Sequence, residues 1–181
     1  MMTKARKERK RLSMLSSEMS SLLYFLENEL EMIQWYSISF LEGPPTQFKV
    51  EDVKNSPSFI AMMEFEPNHD LSSGFVVMGG YAGPWGEIGI FVQKYKNSID
   101  DLFVTVCHEM VHQKQYETAW KKKHKTEFEY ALECEREAYH KMDALFIKWQ
   151  QQYEPHEHKR CAPRYLREVN GECPTRKPNE Q

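Results

Sequence analysis

Residues 108–112 read His-Glu-Met-Val-His, two histidines four apart with a glutamate directly after the first. On an α-helix, positions four apart share a face. His108 and His112 can therefore aim two imidazole nitrogens at one metal ion, with Glu109 beside them to take a proton from metal-bound water. Imidazole pairs suit Zn²⁺, although the Irving–Williams order lets other divalent ions occupy such a site. A pattern of this kind arises by chance in roughly three of a hundred chains of this His and Glu content. The motif therefore needs a helix to hold it and a third ligand to complete it. The alternative is a pair of surface histidines on an amphipathic helix.

The surrounding sequence supplies the helix. Ser98 with Asp101 three residues on resembles a capping box, and Leu102, Phe103, Val106 and Met110 follow at helical spacing. No Pro or Gly interrupts residues 98–152, a span too long for one helix of a small domain. The lysine-rich stretch 121–125 is the least apolar place for a turn, which predicts a helical hairpin over about 98–120 and about 126–152.

A catalytic zinc takes three protein ligands and keeps one position open. Three candidates for the third ligand lie downstream: His124, Glu135 and His140. In a hairpin turning near 122, Glu135 is 13 residues past the turn and His112 is 10 before it, so Glu135 stands between the levels of His108 and His112. His124 would lie far below unless the first helix stopped just after His112. The returning helix is expected to bury Phe128, Ala131 or Leu132, Ala138, Met142, Leu145 and Trp149, and Glu135 falls in that stripe, with Glu133 and Glu137 beside it. A carboxylate in an apolar stripe needs a cationic partner, a metal or a basic side chain. Ala138, one turn on, is small enough to let the two helices approach closely. These arguments favour Glu135 and leave His124, His140 and the neighbouring glutamates as alternatives.

The run HEMVHQKQ (108–115) together with EREAY (135–139) resembles the gluzincin-type zinc metallopeptidases, most of all small phage and bacterial members with a Gln three residues after the second His. The resemblance covers roughly residues 86–150. It implies a minimal zincin-like fold, with His108, His112 and Glu135 as zinc ligands and Glu109 as general base. It also implies a peptide substrate lying extended along an edge strand, for which Glu87–Gln93 is the candidate, and an oxyanion donor such as Tyr139 or Tyr116. Tyr139 stands where such families often carry Asp or Asn, which leaves the partner of a ligand histidine unassigned. A second resemblance competes. HEMVH followed by His124 and then Thr126-Glu127-Phe128 is similar to SprT-like metallopeptidases, which use three histidines and cleave proteins crosslinked to DNA; Lys125 stands where that family usually has Gly.

Upstream, the apolar runs Phe59–Phe65, Gly74–Met78 and Ile88–Val92 are separated by Pro67-Asn68, Gly79-Gly80 and Gly83-Pro84. They read as three or four antiparallel strands, with Gly86, Gly89 and Trp85 near the last strand suggesting a close backbone approach or a bulge, and ordinary turn glycines as the alternative. Before them, Leu12, Leu15, Met19, Leu22, Leu23, Leu26, Leu30 and Ile33 form one stripe on a helix of about 30 residues that ends before Gly43-Pro44-Pro45. This helix is an appendage or a first packing layer. The expected whole is an α+β protein: a basic head and long helix over 1–45, a core of small twisted antiparallel sheet and metal-bearing helical hairpin over 46–153, and an extended tail over 154–181.

Composition bounds the rest. The 181 residues are 40% apolar and 28% charged, which suits one globular core. A net charge of −3 argues against a dedicated nucleic-acid binder, although residues 3–11 and 121–125 are basic patches that could touch nucleic acid or acidic protein. Neither a membrane span nor a secretory leader is evident, so a cytoplasmic protein is expected, within the host cell if phage-encoded. The four cysteines are expected as thiols, with Cys107 a small packing residue. His156, His158, Cys161 and Cys173 form a possible second metal set whose spacing matches no common finger. Three functions follow: a zinc metallopeptidase acting on a protein or peptide, an SprT-like protease acting on DNA-associated proteins, and a non-catalytic binding or structural protein on a zincin scaffold.

Overall fold

A computed structural model describes residues 18–95, 99–118 and 126–153. His124, the lysine-rich stretch, Ser98, the basic head and the tail set His156, His158, Cys161 and Cys173 lie outside the described residues. The chain is α+β, with five helices and small sheets of few strands among the described residues.

Helix α1 covers residues 18–29. Met19, Leu22, Phe25, Leu26 and Leu30 form its buried stripe, with Leu22 and Leu26 fully enclosed. It is therefore a packing layer of the core. The helix stops well before Gly43. The Met32 amide reaches back to the Glu27 carbonyl (2.9 Å) and the Glu31 amide to that of Asn28 (3.2 Å), while Glu31 takes a positive φ of 50°. This is a Schellman ending, with Glu31 in the left-handed place that glycine usually fills. The apolar spacing runs on through Ile33, but Ile33 is exposed. The chain has turned there to enter a strand that the helical reading had concealed.

That strand is β1, Ser37–Leu41, and it pairs in parallel with β5, Glu87–Phe91. On its other side β5 pairs antiparallel with β4, Gly80–Ala82. The main sheet is thus mixed, in the order β1-β5-β4, rather than antiparallel throughout. Ile88 and Ile90 of β5 enter the core from one face. Gly89 faces the other way beneath the Tyr81 ring, where a Cβ would stand 2.3 Å from Tyr81 Cε1, so the expected close approach is real. A second sheet pairs β2, Gln47–Lys49, with β3, Phe75–Val77.

Two helices separate β2 from β3: α2, Val50–Val53, and α3, Pro57–Phe65. The apolar run Phe59–Phe65, expected as a strand, is therefore a helix. Its start carries the signals of one. The Ser56 hydroxyl accepts from the Phe59 amide (3.3 Å), and Pro57 sits in the first turn. A short run of continuous apolar residues does not distinguish strand from helix by periodicity.

The hairpin is built from α4, Ile99–Thr118, and α5, Glu127–Tyr153. Phe103, Val106, Cys107, Met110 and Val111 of α4 pack with Ala138, Met142, Phe146 and Trp149 of α5. Each large side chain so enclosed stabilises the fold by about 1.5–3 kcal/mol. Phe128, expected in this stripe, is 46% exposed, and Phe146 is fully buried instead. Phe128 lies in the first turn of α5, before that helix reaches the core. The Trp149 indole donates to Ser21 Oγ (3.2 Å), tying α5 to α1. Cys107 is fully buried packing, and burial, with Asp143 nearby, pushes its thiol up. No helix among the described residues is long and apolar enough to cross a membrane.

Candidate metal centre

His108 and His112 lie one turn apart on α4, their ring centroids 4.6 Å apart and their Nε2 atoms 3.0 Å apart. Glu135 comes from the opposite helix, α5, and places Oε2 at 3.4 Å from each of those nitrogens. Among the described residues these three form a group able to hold a metal ion. In a tetrahedral zinc site with bonds of about 2.0–2.1 Å, neighbouring ligand atoms stand about 3.3 Å apart. The three separations match one face of such a tetrahedron, so the residues present fit the ion. The side chains are 13–17% exposed, so the group is set into the protein with an opening to solvent.

Hydrogen-bond accounting fixes one imidazole. The Gln115 amide nitrogen donates to the Cys134 carbonyl (2.9 Å) and to Glu137 Oε2 (3.0 Å), which leaves Gln115 Oε1 as an acceptor. That oxygen lies 2.8 Å from His112 Nδ1. His112 must therefore carry a proton at Nδ1, and its Nε2, the nitrogen that a metal would take in exchange for a proton, faces the common point. The residue unassigned in the sequence is thus Gln115, one turn beyond His112 and buried. His108 is held by packing: its ring meets the Tyr139 ring edge-on at 4.8 Å, and Tyr139 stacks on Phe65 of α3 at 5.2 Å. The tyrosine that replaces the expected Asp or Asn backs the other histidine.

Glu135 has a further neighbour that sequence reasoning missed. The Ser58 hydroxyl, from the first turn of α3, makes a short hydrogen bond to Glu135 Oε1. No spacing in the sequence links positions 58 and 135. Burial alone would raise the Glu135 carboxyl, but hydrogen bonds from His108 and His112 outweigh it and hold the group well below the usual carboxylate range. Burial likewise pulls His112 down, yet Glu135, Glu109 and Gln115 push it up to about 9. In the metal-free protein the group is a buried ion pair, so loading a cation must displace a proton.

Glu109 is 6% exposed. Burial raises its carboxyl, opposed by His108 and His112. Its side chain lies against β4, where a Cβ built on Gly80 would stand 3.1 Å from Glu109 Cγ. His140 is not in the group; it is exposed, its ring set edge-on to Phe65 at 4.8 Å. Glu133 is exposed, and Glu137 binds Gln115 and Lys141.

The strand expected to receive a substrate is not an edge. Glu87–Phe91 is the central strand, paired on both sides, and the chain then continues as a 3-10 turn over Val92–Tyr95. Among the described residues, β4 is an edge strand of this sheet and lies beside α4. The Phe91 amide bonds the Gly79 carbonyl (3.0 Å) and the Gly83 amide bonds that of Glu87 (2.7 Å). Gly79, Tyr81 and Gly83 therefore face β5, and by alternation Gly80 and Ala82 turn their backbone groups outward.

Compared with known proteins, the chain matches no family model, no curated protein and no solved structure.

Proposed function

We propose that the protein is a zinc-dependent peptidase of the gluzincin kind, built on a minimal zincin-like arrangement. The observation that carries this reading is the convergence of His108, His112 and Glu135 from two helices onto one point, with Glu109 next in sequence to the first ligand. His108 Nε2, His112 Nε2 and Glu135 Oε2 would hold the ion. When bound, zinc supplies Lewis acidity toward a carbonyl oxygen and makes water acidic near neutral pH. Glu109 takes the proton from the attacking water on its carboxylate and returns it to the leaving amine. Its burial favours that return, because an elevated carboxyl affinity for protons suits a group that must hold one transiently.

The substrate of this proposal is an extended peptide that adds to the outer edge of β4. The outward amide and carbonyl groups of Gly80 and Ala82 would pair with it, next to Glu109. Tyr116, one turn beyond His112 and 41% exposed, would be the oxyanion donor in this reading, since the Tyr139 ring packs against both Phe65 and His108.

The test combines metal content with hydrolysis of an unfolded protein such as casein. Glu109→Gln is expected to retain one zinc per chain and lose at least about 100-fold in rate. Glu135→Ala is expected to lose the metal, and His124→Ala to keep it. Metal loss in His124→Ala with retention in Glu135→Ala would favour the SprT-like ligand set. Full activity of Glu109→Gln would remove the proposed base, and absence of hydrolysis by a zinc-loaded wild type would favour a binding role.

A further inference from the structure

Helix α3 does more than cover the hairpin. Its first turn brings Ser58 to Glu135, and its last turn brings Phe65 onto Tyr139, which in turn backs His108. Between them, Glu64 makes a two-pronged ion pair with Arg136, at 2.7 Å to Nε and 2.5 Å to Nη2. Arg136 is the residue directly after the candidate ligand. The helix is thus fastened to α5 at Glu135 and again, further along both helices, at Arg136 and Tyr139.

An ionised carboxylate only accepts hydrogen bonds, so the Ser58 hydroxyl donates. It donates to Oε1, the oxygen turned away from the imidazoles, while Oε2 faces both Nε2 atoms. A carboxylate with one oxygen so engaged is held in the orientation that offers the other to a cation. Were Oε1 free, the group could rotate, bind through both oxygens and crowd the position that a catalytic site leaves open, so that an ion keeping its water there becomes five-coordinate. The carboxylate also sits beside the N-terminal turn of α3, whose dipole favours a negative charge.

We propose that Ser58 is a positioning residue of the metal centre: by holding Glu135 Oε1 it makes Glu135 a one-oxygen ligand and keeps the fourth position open. The inference rests on reading His108, His112 and Glu135 as the metal ligands. Ser58 is exposed at its own position, so replacing it leaves no cavity in the core.

The test uses the full chain, zinc competition with a chelating dye, and the visible spectrum of the protein loaded with cobalt(II) alone. Four-coordinate cobalt absorbs more strongly than five-coordinate cobalt, so the band intensity reports whether Glu135 binds through one oxygen or two. Ser58→Ala is expected to weaken zinc binding about 10–100-fold and to lower the cobalt band. Ser58→Thr, which keeps the hydroxyl, is expected to restore both, with all three proteins melting at the same temperature in chelator. A Ser58→Ala protein with wild-type affinity and spectrum would overturn the inference while leaving the metal reading intact. Equal losses in the alanine and threonine variants would also overturn it. A wild-type protein that takes up neither zinc nor cobalt would remove the metal reading itself, and the role of Ser58 with it.

Discussion

At the scale of single residues, Glu109 depends on a neighbour that has no side chain. Gly80 lies so close that a methyl group there would stand 3.1 Å from Glu109 Cγ, 2.9 Å from Ile90 Cδ1 and 3.0 Å from the Gly89 carbonyl. Neither the β5 backbone nor the buried Ile90 can readily move away, so the carboxylate side chain must give. Under the proposed peptidase reading, Gly80→Ala is therefore expected to lower turnover by about 10–100-fold through displacement of the proposed base, a shift of the order expected for a small misplacement. Zinc content should stay at the wild-type level, because the three atoms nearest the added methyl belong to Ile90, Gly89 and Glu109 rather than to His108, His112 or Glu135. Single-turnover kinetics and metal analysis on one preparation check both halves. The contrast shows what a sequence can disclose at this scale. His108, His112 and Glu109 were readable because a helix converts a spacing of four into a shared face. Glu135 was readable because a hairpin converts distance from the turn into height. Gln115 stood one further turn along the same helix, whereas Ser58 and Gly80 reach the site through tertiary folding that leaves no periodic mark.

At the scale of elements, the turn after α1 decides how the sheet is completed. The buried carboxylate of Glu117, near the end of α4, accepts from the amides of Ile33 (3.3 Å) and Gln34 (2.9 Å). Lys114 bridges it at 3.1 Å and also donates to the Glu31 carbonyl. These contacts hold the segment between the left-handed Glu31 and the start of β1. Glu117→Ala leaves two amides without their acceptor, which should destabilise the protein by about 1–3 kcal/mol. Chemical denaturation measures that loss, and a change below about 0.5 kcal/mol would mean that water replaces the carboxylate without cost. The same segment explains two element-level departures from the sequence reading. Helical spacing continued past Leu30, so nothing local announced β1, and a parallel partner for β5 came from a stretch assigned to the helix. The helix α3 was missed for the opposite reason: its apolar run was uniform, and the Ser56-Pro57 start signal was the only cue to its type. The hairpin helices were found because they are long and strongly periodic.

At the scale of the whole molecule, a buried carboxyl group away from the candidate metal centre contributes to how stability responds to pH in the metal-free protein. Asp143 lies on α5, and its Oδ1 is buried with no hydrogen-bond partner among the described residues. Burial first, and then the charge of Glu66 at the end of α3, push its carboxyl up from 3.8 to about 7. The buried Cys107 thiol of α4 is also within its electrostatic reach and stays neutral. The folded state therefore holds this proton more tightly than the unfolded state does. Between about pH 4 and pH 7 the unfolded chain releases the proton first, so the contribution of Asp143 to stability falls as pH rises through that window. At about 1.4 kcal/mol per unit of difference, and allowing for partial solvation, the loss is of order 2–4 kcal/mol. Asp143→Asn keeps the shape of the neutral acid and does not titrate. In chelator, the variant is expected to match the wild type near pH 4 and to exceed it progressively toward pH 7. Urea denaturation at several pH values reads this difference directly, and parallel stability curves for the two proteins would show that Asp143 is already solvated in the native state. Because Asp143 sits two turns along α5 from Glu135, the same carboxyl lies on the helix that carries the third donor. The variant removes only the cost of ionising this group, and it is expected to retain zinc at least as well as the wild type at neutral pH, as metal analysis would read.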